Sequence, residues 1–334
     1  MDLKIERPID MHLHLRDGED LAKYAKRSAS VFAGALVMPN TIPPIISSES
    51  LMDYMGRIME AAPGFVPHMT FKILPDLSPE KIRSLKEAGA VAGKLYPKGV
   101  TTNAEDGADE YTEIYPVLSE MEKNGIILSV HGEDPKAFCL DRETAFLSVV
   151  DDIVTAFPDL RIVVEHLSSA AAVEHVLAMP DNVAATITPH HLVLTLDDLI
   201  GNSLNPHNFC KPVVKRPEDR AALRGAAVSG NPKFFLGTDS APHPRKKKES
   251  ASGAAGIYSS PVAIPLVAHV FHQENALDTF EGFVSKAGRD FYGLSHTDET
   301  IVLENVPWKV PEEIDGAVPL YAGREIAWSI RTGE

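Results

Sequence analysis

A chain of 334 residues with 44% hydrophobic content can bury one large core or two ordinary ones. Lys and Arg number 32 against 47 Asp and Glu, and the net charge of −15 argues against nucleic acid and anionic membranes as partners. No apolar run approaches a membrane span, and the first residues lack the basic-then-apolar pattern of a secretory signal, so a cytoplasmic location is expected. Cys139 and Cys210 stand far apart without metal-like spacing and read as free thiols.

Along the chain, short apolar runs alternate with longer amphipathic ones. The strand-like runs cover 11–15, 34–40, 69–76, 90–97, 125–133, 161–168, 183–190 and 233–240. Helical patterns cover 19–32, 48–62, 110–123, 142–157, 169–179, 217–229 and 261–275. Another begins at Ser78 as N-cap with Pro79 in the first turn, and stops at Gly89. Strands alternating with helices imply parallel pairing and right-handed crossovers. The pattern predicts a (β/α)8 TIM barrel with its core over 9–275. A doubly wound sheet would carry a G-x-G-x-x-G turn after an early strand, and the chain has none. Residues 276–334 hold a helix at 278–292 and strand-like pieces TIVLENV and AWSI. They read as an extension packed on the barrel, so 1–334 is expected to be a single domain.

Barrel active sites form where the strands end. The polar residues at those ends are His12, His14 and Arg16, then Asn40, Lys94, His131, His166, the Pro189-His190-His191 corner and Asp239. The third strand, ending at Pro75-Asp76, offers no candidate. His12 and His14 fall on one strand face, roughly 6.5–7 Å apart, with Met11, Leu13 and Leu15 expected to face the helices. An H-x-H alone is a weak signal. With His131, His166 and Asp239 added, the mouth holds more ligands than one tetrahedral ion needs, which suggests two metals.

Lys94 is chemically out of place there, because an ammonium would be repelled by divalent cations. Either it points away as an ordinary lysine, or it is a neutral amine that takes up carbon dioxide as a carbamate. His190 and His191 read as structural, and His68, His175, His207, His269, His272 and His296 lie away from strand ends. The run Arg245 to Lys248, followed by Glu249, reads as a solvated loop.

The segments MHLHLRD, VMPNT, GKLYP, TTN, VHGE, EHLS, TPHHL, KPVVKR and GTDSAPH together resemble the dihydroorotases of the amidohydrolase superfamily, in their shorter stand-alone bacterial form. The resemblance runs from Ile9 past Tyr292. It implies zinc-dependent, reversible hydrolysis of L-dihydroorotate to N-carbamoyl-L-aspartate, the third step of pyrimidine synthesis. It also implies two zinc ions per subunit. One would sit on His12, His14, Asp239 and carboxylated Lys94, the other on the same Lys94, His131 and His166, with a bridging hydroxide. Asp239 would shuttle the proton, and Arg16, Asn40 and His243 would hold the substrate carboxylate. Thr101 and Thr102, in a polar segment over 98–109, would act as a mobile lid on the substrate. Lys211 and Ala255 would contact the substrate through their backbones, Lys211 standing where relatives carry an apolar residue. A homodimer acting on a small molecule is implied. The alternatives are another cyclic amidohydrolase (hydantoinase, dihydropyrimidinase or allantoinase-like) and a non-catalytic structural homologue. The first lacks a need for Arg16 and His243, and the second a need for six intact ligands.

Overall fold

The structure is a computed structural model describing residues 1–100 and 110–331, so Thr101 and Thr102 lie outside the described residues. An N-terminal strand, β1 (Asp2–Glu6), precedes eight parallel strands: β2 (Ile9–Leu13), β3 (Gly34–Val37), β4 (Val66–Lys72), β5 (Ala92–Leu95), β6 (Ile127–Val130), β7 (Ile162–Val164), β8 (Val183–Ile187) and β9 (Phe234–Leu236). They pair in sequential order. The ring closes just past β9, where Asp239 N donates to His12 O at 2.8 Å and His14 N to Ser240 O at 3.1 Å. Gly237 permits this closure: a Cβ there would come within 2.9 Å of His12 Cβ and Thr186 Cγ2.

The helices between strands start where local chemistry says they should. Ser78 accepts from Lys81 N at 3.3 Å and Pro79 opens the helix Pro79–Glu87. Ser47, one residue before the expected start, caps Ser48–Ala61 in a reciprocal box with Ser50. The first helix, Glu19–Ala29, ends three residues before the expected Phe32, because Ser30 to Phe32 turn into β3.

Side-chain alternation sorts the strands into two apolar layers. Val37, Leu95, Leu128, Val130, Val164, Ile187 and Leu236 face the helices. Ile9, Met11, Leu36, Met38, Ala92, Ile127, Val163, Ala184 and Phe235 fill the barrel's N-terminal half. Met11 therefore points inward, contrary to expectation. The register explains it: Asp10 pairs Ala35 but Leu13 pairs Val37, so β2 carries an extra residue against β3. That bulge lets Met11 fill the core while His12 and His14 turn into the mouth above it.

Below the strands, residues Gly282–Lys286 in π-helical geometry lead into the helix Ala287–Tyr292. Ala287, Phe291, Tyr292 and Leu294 pack on the inner layer and plug the N-terminal end of the barrel. Gly288 allows the close approach, since a Cβ would meet Met11 Cγ at 2.6 Å. In the tail, β10 (Thr300–Glu304), within TIVLENV, pairs antiparallel with β1, which the sequence reading missed, and with β13 (Ser329–Ile330), which overlaps AWSI. Between them β11 (Trp308–Lys309) pairs β12 (Glu325–Ile326). The basic run departs from the solvated loop expected of it. It forms a short helix, Arg245–Lys248, in which Lys248 is buried.

Candidate metal centre

His12, His14 and Asp239 come together because β2 and β9 are neighbours in the closed ring. Their Nε2, Nε2 and Oδ1 atoms converge: His12 to His14 is 3.3 Å, and Asp239 lies 3.5 Å from His12 and 3.2 Å from His14. The other ring nitrogens are committed elsewhere. His12 Nδ1 donates to Glu165 Oε2 at 2.9 Å, and His14 Nδ1 to Asn40 Oδ1 at 2.8 Å. Both Nε2 atoms are thus left as lone pairs, facing each other and a carboxylate oxygen. Three acceptors without a proton between them repel unless a cation binds all three, and outward-held imidazoles are how proteins orient metal ligands. The donor set fits a divalent metal.

His131 and His166 stand on the far side, with ring centroids 4.6 Å apart, and His166 is 5.2 Å from His12. His131 Nε2 donates to Glu133 Oε2 at 2.7 Å, which leaves Nδ1 as the lone pair. His166 Nδ1 is buried without a partner among the described residues. Burial depresses the imidazoles of His14, His131 and His166: His14 falls to about 4, and His166 goes well below its ordinary value, helped by His131 and Lys94. Neutral rings are the ligand form. Burial alone would push the Asp239 carboxyl up. The neighbouring imidazoles of His14, His12 and His190 outweigh it and hold the group well below the carboxylate range.

Lys94 points inward, so the ordinary outward lysine is excluded. Its Nζ is fully buried, 5.4 Å from the Tyr96 ring centroid, and has no hydrogen-bond partner among the described residues. Burial pulls the amine down to about 8 against the opposing fields of Glu165 and Asp239.

The centre opens into a small cavity of about 30 Å³, walled also by Arg16, Asn40, Tyr96, Lys211, Ala255 and Gly256. Arg16 Nε donates to Pro242 O at 2.8 Å and Nη2 to His243 Nε2 at 2.9 Å. It forms no ion pair among the described residues, so its guanidinium is available to an anion. Ala255 O lies 3.0 Å from the same His243 nitrogen. Arg16, His166 and Asp239 all have left-handed backbone, with φ of 63°, 45° and 43°. Such a conformation costs about 1–2 kcal/mol per residue, and it concentrates where function demands it. At His166 it breaks strand alternation, so that Glu165 and His166 both face the interior.

Several residues escaped the sequence reading. Glu165 is fully buried, and it accepts from His12, from Ser129 Oγ at 2.5 Å and from Thr186 Oγ1 at 2.7 Å. Asp10 braces β2 to the residues just past β9 by accepting from His12 N at 3.1 Å and Thr238 N at 2.8 Å, although burial lifts its carboxyl to about 7. Lys72 gives the third barrel strand, β4, a buried polar end, its Nζ 6.0 Å from the Tyr96 ring centroid. EHLS contains Glu165 and PIDMHLH contains Asp10, so the signal was a second polar residue next to a ligand. A second histidine-cysteine group, His190, His191 and Cys210, behaves differently. His191 is satisfied by Thr188 Oγ1 at 2.8 Å and Pro212 O at 3.2 Å, and Cys210 Sγ by Pro212 O at 3.1 Å. His191 and Cys210 serve the structure there.

A closed parallel barrel with a histidine-rich cluster at its strand ends defines a metal-dependent amidohydrolase, and the Amidohydrolase family model matches residues 48–187. The dihydroorotase of Neisseria meningitidis serogroup B is 46% identical over 98% of this chain and 99% of its own. That of Teredinibacter turnerae is 43% identical over 98% of both. Among solved structures, the Saccharomyces cerevisiae dihydroorotase in complex with 5-fluoroorotic acid superposes with a TM-score of 0.94 at 35% identity, covering 99% of this chain and 98% of its own. The Arthrobacter aurescens L-hydantoinase, at 16% identity, shares the fold, with a TM-score of 0.86 over 98% of this chain and 83% of its own. The chain belongs to the dihydroorotase family, hydrolases acting on the C–N bonds of cyclic amides. Among the described residues no helix is long and apolar enough to cross a membrane.

Proposed function

We propose that this protein hydrolyses L-dihydroorotate reversibly to N-carbamoyl-L-aspartate with two zinc ions per subunit. The observation that carries the reading is the convergence of His12 Nε2, His14 Nε2 and Asp239 Oδ1 while both Nδ1 atoms are held by Glu165 and Asn40. His12, His14 and Asp239 would hold one ion and His131 and His166 the other, and a carbamate on Lys94 would serve as a ligand to both. Divalent ions so held lower the pKa of water and polarise the amide carbonyl.

The chain's own residues do the rest. Arg16 grips the substrate carboxylate with its planar fork, and His243 supports it. Asn40, which lines the cavity and holds His14 Nδ1 through its Oδ1, adds a hydrogen bond to the substrate. The peptide groups of Lys211 and Ala255 meet the ring, and Thr101 and Thr102 are assigned to the substrate on the family likeness. Asp239 takes a proton as water adds to the ring carbonyl carbon. It returns that proton to the ring nitrogen as the C–N bond breaks. A buried Lys94 with a depressed pKa is partly neutral near pH 8, the form that attacks carbon dioxide.

Three assays test the reading. Metal-loaded enzyme should turn over dihydroorotate well and hydantoin and dihydrouracil poorly, and a chelator should abolish the activity. Hydantoin turnover without dihydroorotate turnover would select the alternative amidohydrolase, which gains nothing from Arg16 beside His243. Lys94→Ala should lose about a hundredfold or more in rate, with partial rescue by short carboxylic acids. Absence of rescue counts against the carbamate. The family likeness also supports a cytoplasmic homodimer, checked by sedimentation.

A further inference from the structure

The basic run leaves one residue that no step of the reaction uses. Lys248 is 4% exposed, whereas Arg245, Lys246 and Lys247 beside it face solvent. Its ammonium has three N–H groups, and each reaches a backbone carbonyl: Phe209 O at 2.8 Å, Ala254 O at 2.8 Å and Gly256 O at 2.7 Å. Charge-assisted bonds of this kind are stronger than neutral ones. They join two irregular segments far apart in sequence, and Gly256 N adds a fourth tie by donating to Phe209 O at 2.9 Å.

Both segments wall the metal cavity, which Lys211, Ala255 and Gly256 line. Gly256 has φ +136°, and a Cβ there would stand 2.4 Å from Ala241 O, so this wall has no room to shift toward Ala241. Neither segment belongs to a strand, so no ladder sets their separation. None of the three carbonyl partners is a proposed metal ligand.

We infer that Lys248 is a positioning residue for the substrate: from behind the wall, its ammonium locks residues 209–211 to 254–256, and so sets the spacing of the Lys211 and Ala255 peptide groups. The inference rests on the reading above that these peptides meet the dihydroorotate ring. A positioning role in binding predicts a KM effect with metal content and kcat preserved.

Lys248→Met and Lys248→Arg, compared with wild type, test it. The Met variant should raise the dihydroorotate KM about tenfold or more, with kcat within about threefold and full metal content. The Arg variant should show a smaller rise, about threefold, because it keeps the charge but a planar fork cannot aim three donors at one knot of carbonyls. If the Met variant does not fold, the Arg variant decides alone, by a raised or an unchanged KM. KM values within about twofold of wild type, a collapse of kcat at unchanged KM, or metal loss in the folded variants overturns the inference. Wild-type enzyme inactive on dihydroorotate overturns the functional reading and this one with it. Wild-type turnover with unaltered variants overturns this one alone.

Discussion

The two ends of the barrel are built from the same strands but serve different purposes. The N-terminal half is filled with Ile9, Met11, Leu36, Ala92, Ile127, Val163, Ala184 and Phe235, and is sealed by Tyr292. The C-terminal mouth holds His12, His14, His131, His166, Asp239 and Glu165, the buried Lys94, and left-handed backbone at Arg16, His166 and Asp239. Regular alternation suits the first, because apolar side chains need only fill space. The second needs polar atoms to converge, and convergence is obtained by breaking regularity: a bulge at β2, and positive φ at Arg16, His166 and Asp239. Stability and chemistry are thereby separated along the barrel axis.

If that separation holds, mutations at the two ends should have effects of different kind. The largest is expected at the mouth. Asp239→Asn should lower kcat by about 10³–10⁴-fold with an unchanged melting temperature and circular dichroism; a variant retaining a tenth of the activity would break the assignment. At the other end, Phe235→Ala should destabilise by about 3–5 kcal/mol, while the folded fraction keeps wild-type kcat per bound metal. An equal loss of kcat would show that the halves are coupled.

Glu165 lies between the two layers and sharpens the boundary. Glu165→Gln should weaken metal binding about 10–100-fold, measured by chelator competition, with kcat recovered at saturating metal. The smallest effect is expected at His68, on the lower half of β4 beside Leu36. Burial lowers its imidazole from 6.5 to about 4, and its Nε2 is buried without a partner among the described residues. Between those values the unfolded chain binds more protons than the folded one, so stability falls as pH drops through the window. His68→Phe should make the acid limb of the melting curve less steep between pH 6.5 and 4, with activity at neutral pH unaltered. A limb of wild-type steepness would remove His68 from the account.

The contrast also explains what was legible in the chain. Eight apolar runs separated by amphipathic ones announce a parallel barrel, because a buried strand must be apolar and a crossover helix must show one apolar face. Strand ends then point to His12, His14, Lys94, His131, His166 and Asp239, since side chains there have nowhere to go but the mouth. The order of β2 to β9 follows from the same rhythm. The antiparallel pairing of β1 with β10 does not, because it joins residues about 300 apart through no local pattern.

The sequence by itself determined the barrel, the inventory of ligand types and the family, because periodicity, composition and motif are local properties. Tertiary structure alone decided which neighbours set their chemistry. Met11 faces inward because of the register between two strands, not because of its own alternation. Lys94 is a buried amine lowered to about 8 because Glu165 and Asp239 are too weak a counterfield to offset its desolvation. Lys248, one basic residue among four, is removed from water because carbonyls from two distant segments meet at its nitrogen. Burial and electrostatic partners are properties of the assembled fold, and no reading of spacing along the chain contains them.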